Sequence, residues 1–208
     1  MNEMIQNKES FINFLKEAEA IIFDLDGTLI ELNMPWKIIK DHFKTRHREK
    51  YGENLPSNRF HANFNYIREK YGEMALKYYT NYLEESEMEN IMENRPKSLE
   101  LLTSGIEKIK KFIPETSILG ICSSNYHKTI EKLLELHNLL NDFTFIFGRD
   151  DVIEAKPSPE GLKTILKKFS LNSEKVLFIG DSWVDEEAAR EAAIPYQHVD
   201  NVNIYLSS

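Results

Sequence analysis

The feature that most limits the fold is a repeated alternation of short apolar runs with stretches of helical spacing. The runs are nearly continuous in apolar residues and most end in Gly, Asp or Ser; they cover residues 20–23, 118–122, 143–147 and 176–179, with a weaker one at 196–199. Such runs are typical of strands that are buried on both faces. Helical spacing appears over residues 99–112, 128–139, 159–169 and 184–193. The alternation predicts an α/β fold, a doubly wound, Rossmann-like parallel sheet with helices on both faces.

The interval from about residue 33 to residue 94 interrupts this alternation. It is rich in Lys, Glu, Tyr and His, and it is patterned as helices without a strand-like run. Pro35 suits a first helical turn, residues 55–58 (Leu-Pro-Ser-Asn) a break between helices, and residues 95–98 (Arg-Pro-Lys-Ser) the return to the sheet. We therefore predict an α/β core domain over residues 1–32 and 95–208 and an inserted α-helical cap domain over residues 33–94.

Charge and composition limit the partners and the compartment. The formal net charge of −8 repels polyanions, so we expect no nucleic-acid partner. No apolar run approaches the roughly 18 residues needed to cross a bilayer, and the first ten residues lack the apolar stretch of a signal peptide. Cys122 is the single cysteine, which excludes an intramolecular disulfide and suits a reducing compartment. We expect a soluble, cytoplasmic protein without a membrane partner; the sequence does not indicate its oligomeric state.

Charged and polar residues stand at the carboxyl ends of the predicted strands or just before a predicted helix. They are Asp24 and Asp26 after the first strand, Ser123 after the second, Asp181 after the fourth, and Lys156 before the third helix. Ligands of such sheets bind beyond the carboxyl ends of the strands, so these side chains are expected to converge. The carboxylates would repel one another without a cation. Because the ligand set consists of oxygen atoms alone, we expect Mg²⁺.

These residue types suit phosphoryl transfer. Asp24 and Asp181 would bind the metal and leave a position for a phosphate oxygen of the substrate. A carboxylate beside the metal can attack phosphorus to form an aspartyl phosphate, while its neighbour handles the leaving-group proton and then activates water. Ser123, Lys156 and the backbone N–H groups of the turn at residues 24–26 would stabilise the phosphoryl oxygens.

Four motifs in order resemble those of the haloacid dehalogenase superfamily, specifically its phosphatases with a helical cap inserted after the first motif, the phosphoglycolate phosphatase-like and β-phosphoglucomutase-like subgroup. They are Phe23-Asp-Leu-Asp-Gly-Thr28, Ile121-Cys-Ser-Ser124, Lys156 in Ala-Lys-Pro, and Gly180-Asp-Ser-Trp-Val-Asp185. The resemblance covers almost the whole chain outside the insertion. One such motif is weak evidence, whereas four in order on the appropriate elements are specific.

The resemblance implies a role for each motif residue. Asp24 would be the nucleophile and Asp26 the acid/base, with the Asp26 backbone carbonyl also on the metal. Ser123 and Lys156 would contact the phosphoryl group. The implied metal ligands are Asp24, Asp26 and Asp181, with Asp185 as a supporting carboxylate, and the residues expected to contact the substrate are Thr28, Ser124 and Asn125.

Alternatives stay open at three places. Many relatives carry Thr-Asn where this chain has Ser123-Ser124, and Ser124 is the alternative phosphate contact. Asp185 either supports the metal or only places negative charge in the first turn of a helix. The basic stretch at residues 37–50 either attracts an anionic substrate or is a solvated helix face. Helical spacing puts Trp36, Ile39 and Phe43 on one side of this helix, where we expect them to form the core of the cap.

We predict a Mg²⁺-dependent phosphatase that hydrolyses a small phosphorylated metabolite. The alternative within the family is a sugar phosphomutase, which uses the same aspartyl phosphate but returns the phosphoryl group to a second hydroxyl. A dehalogenase is disfavoured because it needs no metal and would not explain Asp26 and Asp181 beside the nucleophile. A signalling receiver is disfavoured because its acceptor aspartate would lie on a later strand. The alternative from another class is a non-catalytic module that binds a phospho-ligand. Such a module would be expected to lack one of the charged residues Asp24, Asp26, Lys156 and Asp181, and all four are present.

Overall fold

A computed structural model describes residues 5–94 and 96–207, without the side chains of His61 and Thr103. The chain divides into two compact units, one formed by Met1–Leu32 with Pro96–Ser208 and the other by Asn33–Arg95. The predicted return to the sheet at residue 95 lies outside the described residues. That the helical unit acts as a cap over the substrate stays a prediction.

The helices and strands of the two units follow one another along the chain in this order. The first unit starts with α1 (Lys8–Leu15), β1 (Ala20–Phe23) and β2 (Ile30–Glu31), and the described part of the second unit contains α2 (Trp36–Tyr51), α3 (Phe60–Tyr71) and α4 (Glu73–Glu93). The first unit then continues with β3 (Lys97–Ser98), a π-helical turn (Leu101–Gly105), α5 (Ile106–Lys110), β4 (Ile118–Cys122), α6 (His127–Leu136), β5 (Phe145–Phe147), α7 (Glu160–Phe169), β6 (Val176–Gly180), α8 (Trp183–Glu191), β7 (Tyr196–His198) and α9 (Val199–Ser207).

The main sheet has five strands in the order β5-β4-β1-β6-β7, and every pairing is parallel. β1 lies at the centre, and all four of its residues are buried. The strand order reverses on the two sides of β1, where doubly wound sheets bind their ligands. The predicted α/β fold is confirmed, and Cys122 is buried at the end of β4.

Several boundaries differ from the predicted ones, each for a local reason. β5 starts at Phe145 because residues 140–142 first form a 3₁₀ turn, and residues 143 and 144 lie between that turn and the strand. α6 ends at Leu136 because Asn138 adopts a left-handed conformation with φ of 58°. The small antiparallel pair of β2 and β3 and the terminal helices α1 and α9 were not predicted. Among the described residues, no helix is both long enough and apolar enough to cross a membrane.

The second unit has an aromatic core. The buried ring of Phe43 on α2 lies 5.2 Å from Phe60, 6.0 Å from Phe64 and 4.9 Å from Tyr79 between ring centroids. Ile39 is buried as predicted, but the prediction was wrong for Trp36, which is 37% exposed. Trp36 is the first residue of its helix, and the described aromatic partner of its ring is Phe60, at 6.0 Å.

Several basic side chains of α2 contact aromatic rings of the same unit. Arg46 lies 4.3 Å from the centroid of the Tyr82 ring, and the Lys50 ammonium lies 4.1 Å from that of Tyr78. Such cation–π contacts contribute about 0.5–1 kcal/mol at exposed sites. The positive charge of α2 therefore contributes to packing within the helical unit, which favours the structural interpretation of the basic stretch at residues 37–50.

Candidate active site

A tight turn at the end of β1 carries the first two aspartates. The Asp24 N–H donates to the carbonyl of Ile179 at 2.9 Å, so the strand pairing with β6 extends as far as Asp24. Gly27 then adopts a φ of +85°, and a Cβ at this position would lie only 2.2 Å from Oδ2 of Asp181. Glycine is required here both for the left-handed backbone and for the close approach to Asp181. The turn therefore brings the chain after Asp26 against the end of β6.

A buried lysine joins two of the predicted carboxylates. The Nζ atom of Lys156 lies 2.6 Å from Oδ1 of Asp24 and 2.5 Å from Oδ1 of Asp185. The three side chains are 5%, 8% and 1% exposed, respectively. Buried charges are tolerated when they are paired and hydrogen-bonded, so this cluster keeps its charges only as a unit.

A third carboxylate completes a group of oxygen ligands. One carboxylate oxygen from each of Asp24, Asp181 and Asp185 lies within 4.8 Å of the other two. Asp181 is held by its backbone, because its carbonyl accepts a hydrogen bond from Nε2 of His198 at 2.8 Å. The carbonyl of the preceding Gly180 accepts one from the Tyr196 hydroxyl at 3.0 Å. Oxygen ligands at this spacing suit a hard cation such as Mg²⁺.

Asp185 has a structural role as well as its place in the cluster. It lies in the first turn of α8, and its Oδ2 atom accepts hydrogen bonds from the Ser182 backbone N–H at 3.2 Å and from the Ser182 hydroxyl. This reciprocal capping arrangement stabilises the start of the helix. Asp185 therefore caps α8 through Oδ2 while Oδ1 faces Lys156, and a supporting role toward the metal stays a prediction.

The predicted phosphate and substrate contacts differ in their accessibility. Ser123 and Asn125 are buried, whereas Ser124 is exposed. The Ser123 hydroxyl donates to Oδ1 of Asn125 at 3.0 Å. Thr28 is fully buried, and its hydroxyl has no hydrogen-bond partner among the described residues. Contacts of these four side chains with a substrate stay predictions.

Burial raises the pKa values of the two aspartates after β1. Burial raises the pKa of Asp24; the Lys156 ammonium opposes this shift and the neighbouring Asp185 adds to it. Burial also raises the pKa of Asp26, against the hydrogen bond that its Oδ1 accepts from the Leu32 N–H at 2.9 Å. An Asp26 that holds its proton more readily is suited to general acid catalysis.

The pKa values of Asp181 and Lys156 are also raised. Burial raises the pKa of Asp181, and Asp185 raises it further. Burial lowers the pKa of Lys156, but the Asp24 and Asp185 carboxylates outweigh this effect and raise it overall. Lys156 is therefore fully charged at neutral pH and compensates the carboxylates.

Sequence reasoning did not identify four residues that shape this site. Gly27, Ser182, Tyr196 and His198 set the backbone around Asp181 and Asp185. Ser182 carries a readable signal, because Ser-x-x-Asp before a helix is a capping-box pattern. Tyr196 and His198 carry none, since their contacts with residues 180 and 181 appear only when β7 pairs with β6.

Comparisons with known proteins give a consistent result. Residues 21–199 match the sequence model of the haloacid dehalogenase-like hydrolases. The pyrophosphatase PpaX of Listeria innocua is 30% identical over 187 residues, which cover 83% of this chain and 79% of that protein. A phosphoglycolate phosphatase of Mesorhizobium japonicum is 32% identical over 95 residues, 46% of this chain and 42% of that protein.

A solved structure supports the fold. The crystal structure of CbbY from Rhodobacter sphaeroides in complex with phosphate superposes with a TM-score of 0.63, at 21% sequence identity. The match covers 87% of this chain and 85% of CbbY. At this identity the likeness concerns the fold.

Proposed function

The chain belongs to the haloacid dehalogenase-like hydrolase family and is a phosphatase of that family; we propose that it uses Mg²⁺ and hydrolyses a small phosphorylated metabolite through an aspartyl phosphate on Asp24. The observation that carries the proposal is the buried contact of Lys156 with Asp24, 2.6 Å long, beside the carboxylates of Asp181 and Asp185. This arrangement combines a nucleophile, a fixed cation and oxygen ligands for a metal within one small volume. The single buried cysteine suits the proposed cytoplasmic location.

In the proposed first step a carboxylate oxygen of Asp24 attacks phosphorus, and the bond from phosphorus to the leaving oxygen breaks. Asp26 donates its proton to that leaving oxygen. Lys156 and the Ser123 hydroxyl stabilise the negative charge on the phosphoryl oxygens. The products of this step are the free alcohol, or a phosphate when the substrate is pyrophosphate, and an aspartyl phosphate on Asp24.

In the proposed second step Asp26, now ionised, takes a proton from water, and the water oxygen attacks the phosphorus of the aspartyl phosphate. The bond between Asp24 and phosphorus breaks, which releases inorganic phosphate and restores the Asp24 carboxylate. Asp24, Asp181 and the backbone carbonyl of Asp26 would hold Mg²⁺, with Asp185 as support. When bound, the ion neutralises charge on the carboxylates and on the phosphate.

Two substrate classes compete within this proposal. The relative that matches over most of the chain is named as a pyrophosphatase, and a relative that matches over a shorter stretch is named as a phosphoglycolate phosphatase. The first name favours inorganic pyrophosphate as a substrate and the second favours phosphorylated small acids. A sugar phosphomutase stays the alternative, since it would use the same Asp24 chemistry while releasing little inorganic phosphate.

The experiment is a release assay for inorganic phosphate with Mg²⁺ on pyrophosphate, 2-phosphoglycolate and a panel of sugar phosphates. We expect turnover of at least one of these substrates and loss of turnover in Asp24→Asn. Asp41→Asn, at an exposed position of α2, is the matched control and should retain full activity. Conversion of one sugar phosphate into an isomer without phosphate release would favour the mutase, and equal activity of Asp24→Asn and wild type would overturn the proposal.

A further inference from the structure

The loop after β4 fixes the oxygen of Ser123 through Asn125. The Asn125 backbone N–H donates to Oγ of Ser123 at 3.2 Å, and the Ser123 hydroxyl donates to Oδ1 of Asn125 at 3.0 Å. Both side chains are buried, at 6% and 4% exposure. The Asn125 N–H holds the Ser123 Oγ atom in place, whereas the O–H bond of Ser123 can rotate. The hydroxyl can therefore point its hydrogen at a phosphoryl oxygen while the Oγ atom stays where it is. The position of Asn125 therefore decides where the Ser123 hydroxyl lies.

The short turn after β5 holds this loop from the other side. The Arg149 N–H donates to the Asn125 carbonyl at 2.8 Å, and Oδ1 of Asp150 accepts from the His127 N–H at 2.7 Å. α6 begins at His127, and the residue before it makes no side-chain cap, so Asp150 supplies the missing cap from a different loop. A Cβ at Gly148 would lie 2.5 Å from the His127 nitrogen and 3.0 Å from the Asn125 carbonyl oxygen, which shows how closely the two segments approach.

One side-chain pair strengthens this connection. Nδ1 of His127 lies 2.7 Å from Oδ2 of Asp151, and the same oxygen accepts the Gly148 N–H at 2.7 Å. A carboxylate can only accept, so the Nδ1–H of His127 is the donor. On its other side, Nε2 of His127 lies 3.5 Å from Oε1 of Glu131. Asp151 therefore connects the first residue of α6 to the end of β5.

Helix stability alone does not account for a histidine at this position. A positive charge in the first turn of a helix is unfavourable toward the macrodipole. Burial lowers the pKa of His127, but the hydrogen bond and charge of Asp151, with Glu131 and Asp150, outweigh this and raise the pKa overall. The Asp150, Asp151 and Glu131 carboxylates thus favour the charged imidazole where the helix dipole disfavours it, and the contact with Asp151 gives His127 a role in joining the two segments.

We propose that His127 and Asp151 are positioning residues that hold the Ser123–Asn125 loop so that the Ser123 hydroxyl is aligned with the transferring phosphoryl group. This inference rests on the proposed function, because it acts through the contact of Ser123 with that group. The chain of contacts runs from His127 to Asp151, along the turn to the Arg149 N–H, and from there to the Asn125 carbonyl and the Ser123 hydroxyl. Loss of the pair would leave substrate affinity almost unchanged and lower kcat, because alignment matters most in the transition state.

The test compares two variants of nearly equal shape. His127→Asn keeps a donor close to the Nδ1 position, whereas His127→Leu removes it. We expect kcat for 4-nitrophenyl phosphate with Mg²⁺ to fall about 10- to 100-fold in His127→Leu and to stay within about threefold in His127→Asn, with KM little changed in both. Glu135→Gln, at an exposed position of the same helix, is the matched control and should behave as wild type. If His127→Leu does not fold, Asp151→Asn takes its place with a smaller expected loss of kcat.

A double-mutant cycle with Ser123→Ala separates alignment from general structural support. Ser123→Ala should itself lower kcat, by about 100- to 1,000-fold if it removes one donor to the phosphoryl group. On that background His127→Leu should cost less than about threefold, since the group it positions is gone. Equal losses on both backgrounds would overturn this inference while leaving the proposed function intact. A Ser123→Ala variant as active as wild type would overturn the Ser123 contact and this inference together.

Discussion

The ammonium of Lys156 lies 2.5 Å from Oδ1 of Asp185, and both side chains are almost completely buried. The same ammonium lies 2.6 Å from Asp24, so one cation joins the end of β1 to the first turn of α8. Removing one partner of a buried ion pair costs about 3–5 kcal/mol, because the remaining charge keeps its desolvation penalty. Lys156 is therefore expected to contribute to both stability and chemistry.

The first prediction concerns the pH dependence of this contribution. Lys156→Met keeps most of the side-chain volume, and its free energy of unfolding in metal-free buffer should fall by about 3–5 kcal/mol at pH 8. Burial already raises the pKa of Asp24, and loss of the cation raises it further. The folded state then binds a proton that the unfolded state releases above its pKa of about 3.9. The stability of the variant therefore falls as the pH rises from about 3.9 to the raised pKa of Asp24 in the folded state. Its loss of stability relative to wild type should accordingly be smaller at pH 5 than at pH 8.

Urea unfolding of wild type and Lys156→Met at pH 5 and pH 8 measures this difference. Lys163→Met, at an exposed position of α7, is the control and should change stability little at either pH. A loss in Lys156→Met that is the same at both pH values would contradict the assignment of a buried, charge-compensating lysine.

The second prediction concerns Gly27, whose missing side chain makes room for Asp181. Gly27→Ala should lose about 1–2 kcal/mol of stability from its left-handed backbone. Its new methyl group should also displace the Asp181 carboxylate, because the Cβ would lie 2.2 Å from Oδ2. We expect the Mg²⁺ concentration for half-maximal activity to rise about 10- to 100-fold, the range seen when residues that orient metal ligands are changed.

Gly52 provides a matched control for this experiment. It also has a positive φ, of 72°, but a Cβ there would meet nothing within 4 Å. Gly52→Ala should therefore lose similar stability and keep the Mg²⁺ requirement of wild type. If both variants need the same Mg²⁺ concentration as wild type, Asp181 is not a metal ligand.

The aspartates and the lysine of the active site differ in how far the sequence could predict their positions. The positions of Asp24 and Asp181 followed from apolar runs that end at Phe23 and Ile179, and burial of a strand is visible in its own residues. The contact of Lys156 with Asp185 joins residues 29 apart in the chain, and that with Asp24 joins residues 132 apart. Such contacts depend on the packing of loops, which no local pattern records.

The helical unit shows the same limit. The spacing of Ile39 and Phe43 correctly identified the buried side of α2. It did not predict that His47, one turn further along the same side, is fully buried with its Nδ1 atom 3.2 Å from the Tyr79 hydroxyl. Tyr79 lies on α4, so the environment of His47 is decided by a helix that begins more than 20 residues later.

The third prediction uses this histidine. Burial lowers the pKa of His47; the nearby Glu53 carboxylate opposes this shift and the Lys70 ammonium adds to it. Because the unfolded chain takes up this proton more readily, below about pH 6.5, stability should fall as the pH decreases through this range. His47→Gln should lose about 1 kcal/mol at pH 8 for the hydrogen bond, and less or nothing at pH 5.5. Thermal unfolding at both pH values measures this, and a gap between variant and wild type that widens at pH 5.5 would contradict it.

The fourth prediction separates the two aspartates after β1. Asp26→Asn cannot donate a proton, and general acid catalysis contributes about 100- to 10,000-fold when the leaving group is poor. We expect such a loss for hydrolysis of an alkyl phosphate, and a much smaller one for phosphoenzyme formation from 4-nitrophenyl phosphate or an acyl phosphate. Rapid-quench kinetics would show a burst of nitrophenol followed by slow turnover, because the same residue would activate water. Equal losses for the two donor classes would refute the acid/base assignment of Asp26.

The most direct test of the account is chemical identification of the phosphorylated residue. Asp26→Asn enzyme is mixed with 4-nitrophenyl phosphate and Mg²⁺, quenched, and treated with borohydride, which reduces an aspartyl phosphate to homoserine. Peptide mass spectrometry should then find homoserine in place of Asp24, and none in enzyme that was not given substrate. Nitrophenol release without any homoserine at Asp24, or with the modification at another residue, would contradict Asp24 as the nucleophile.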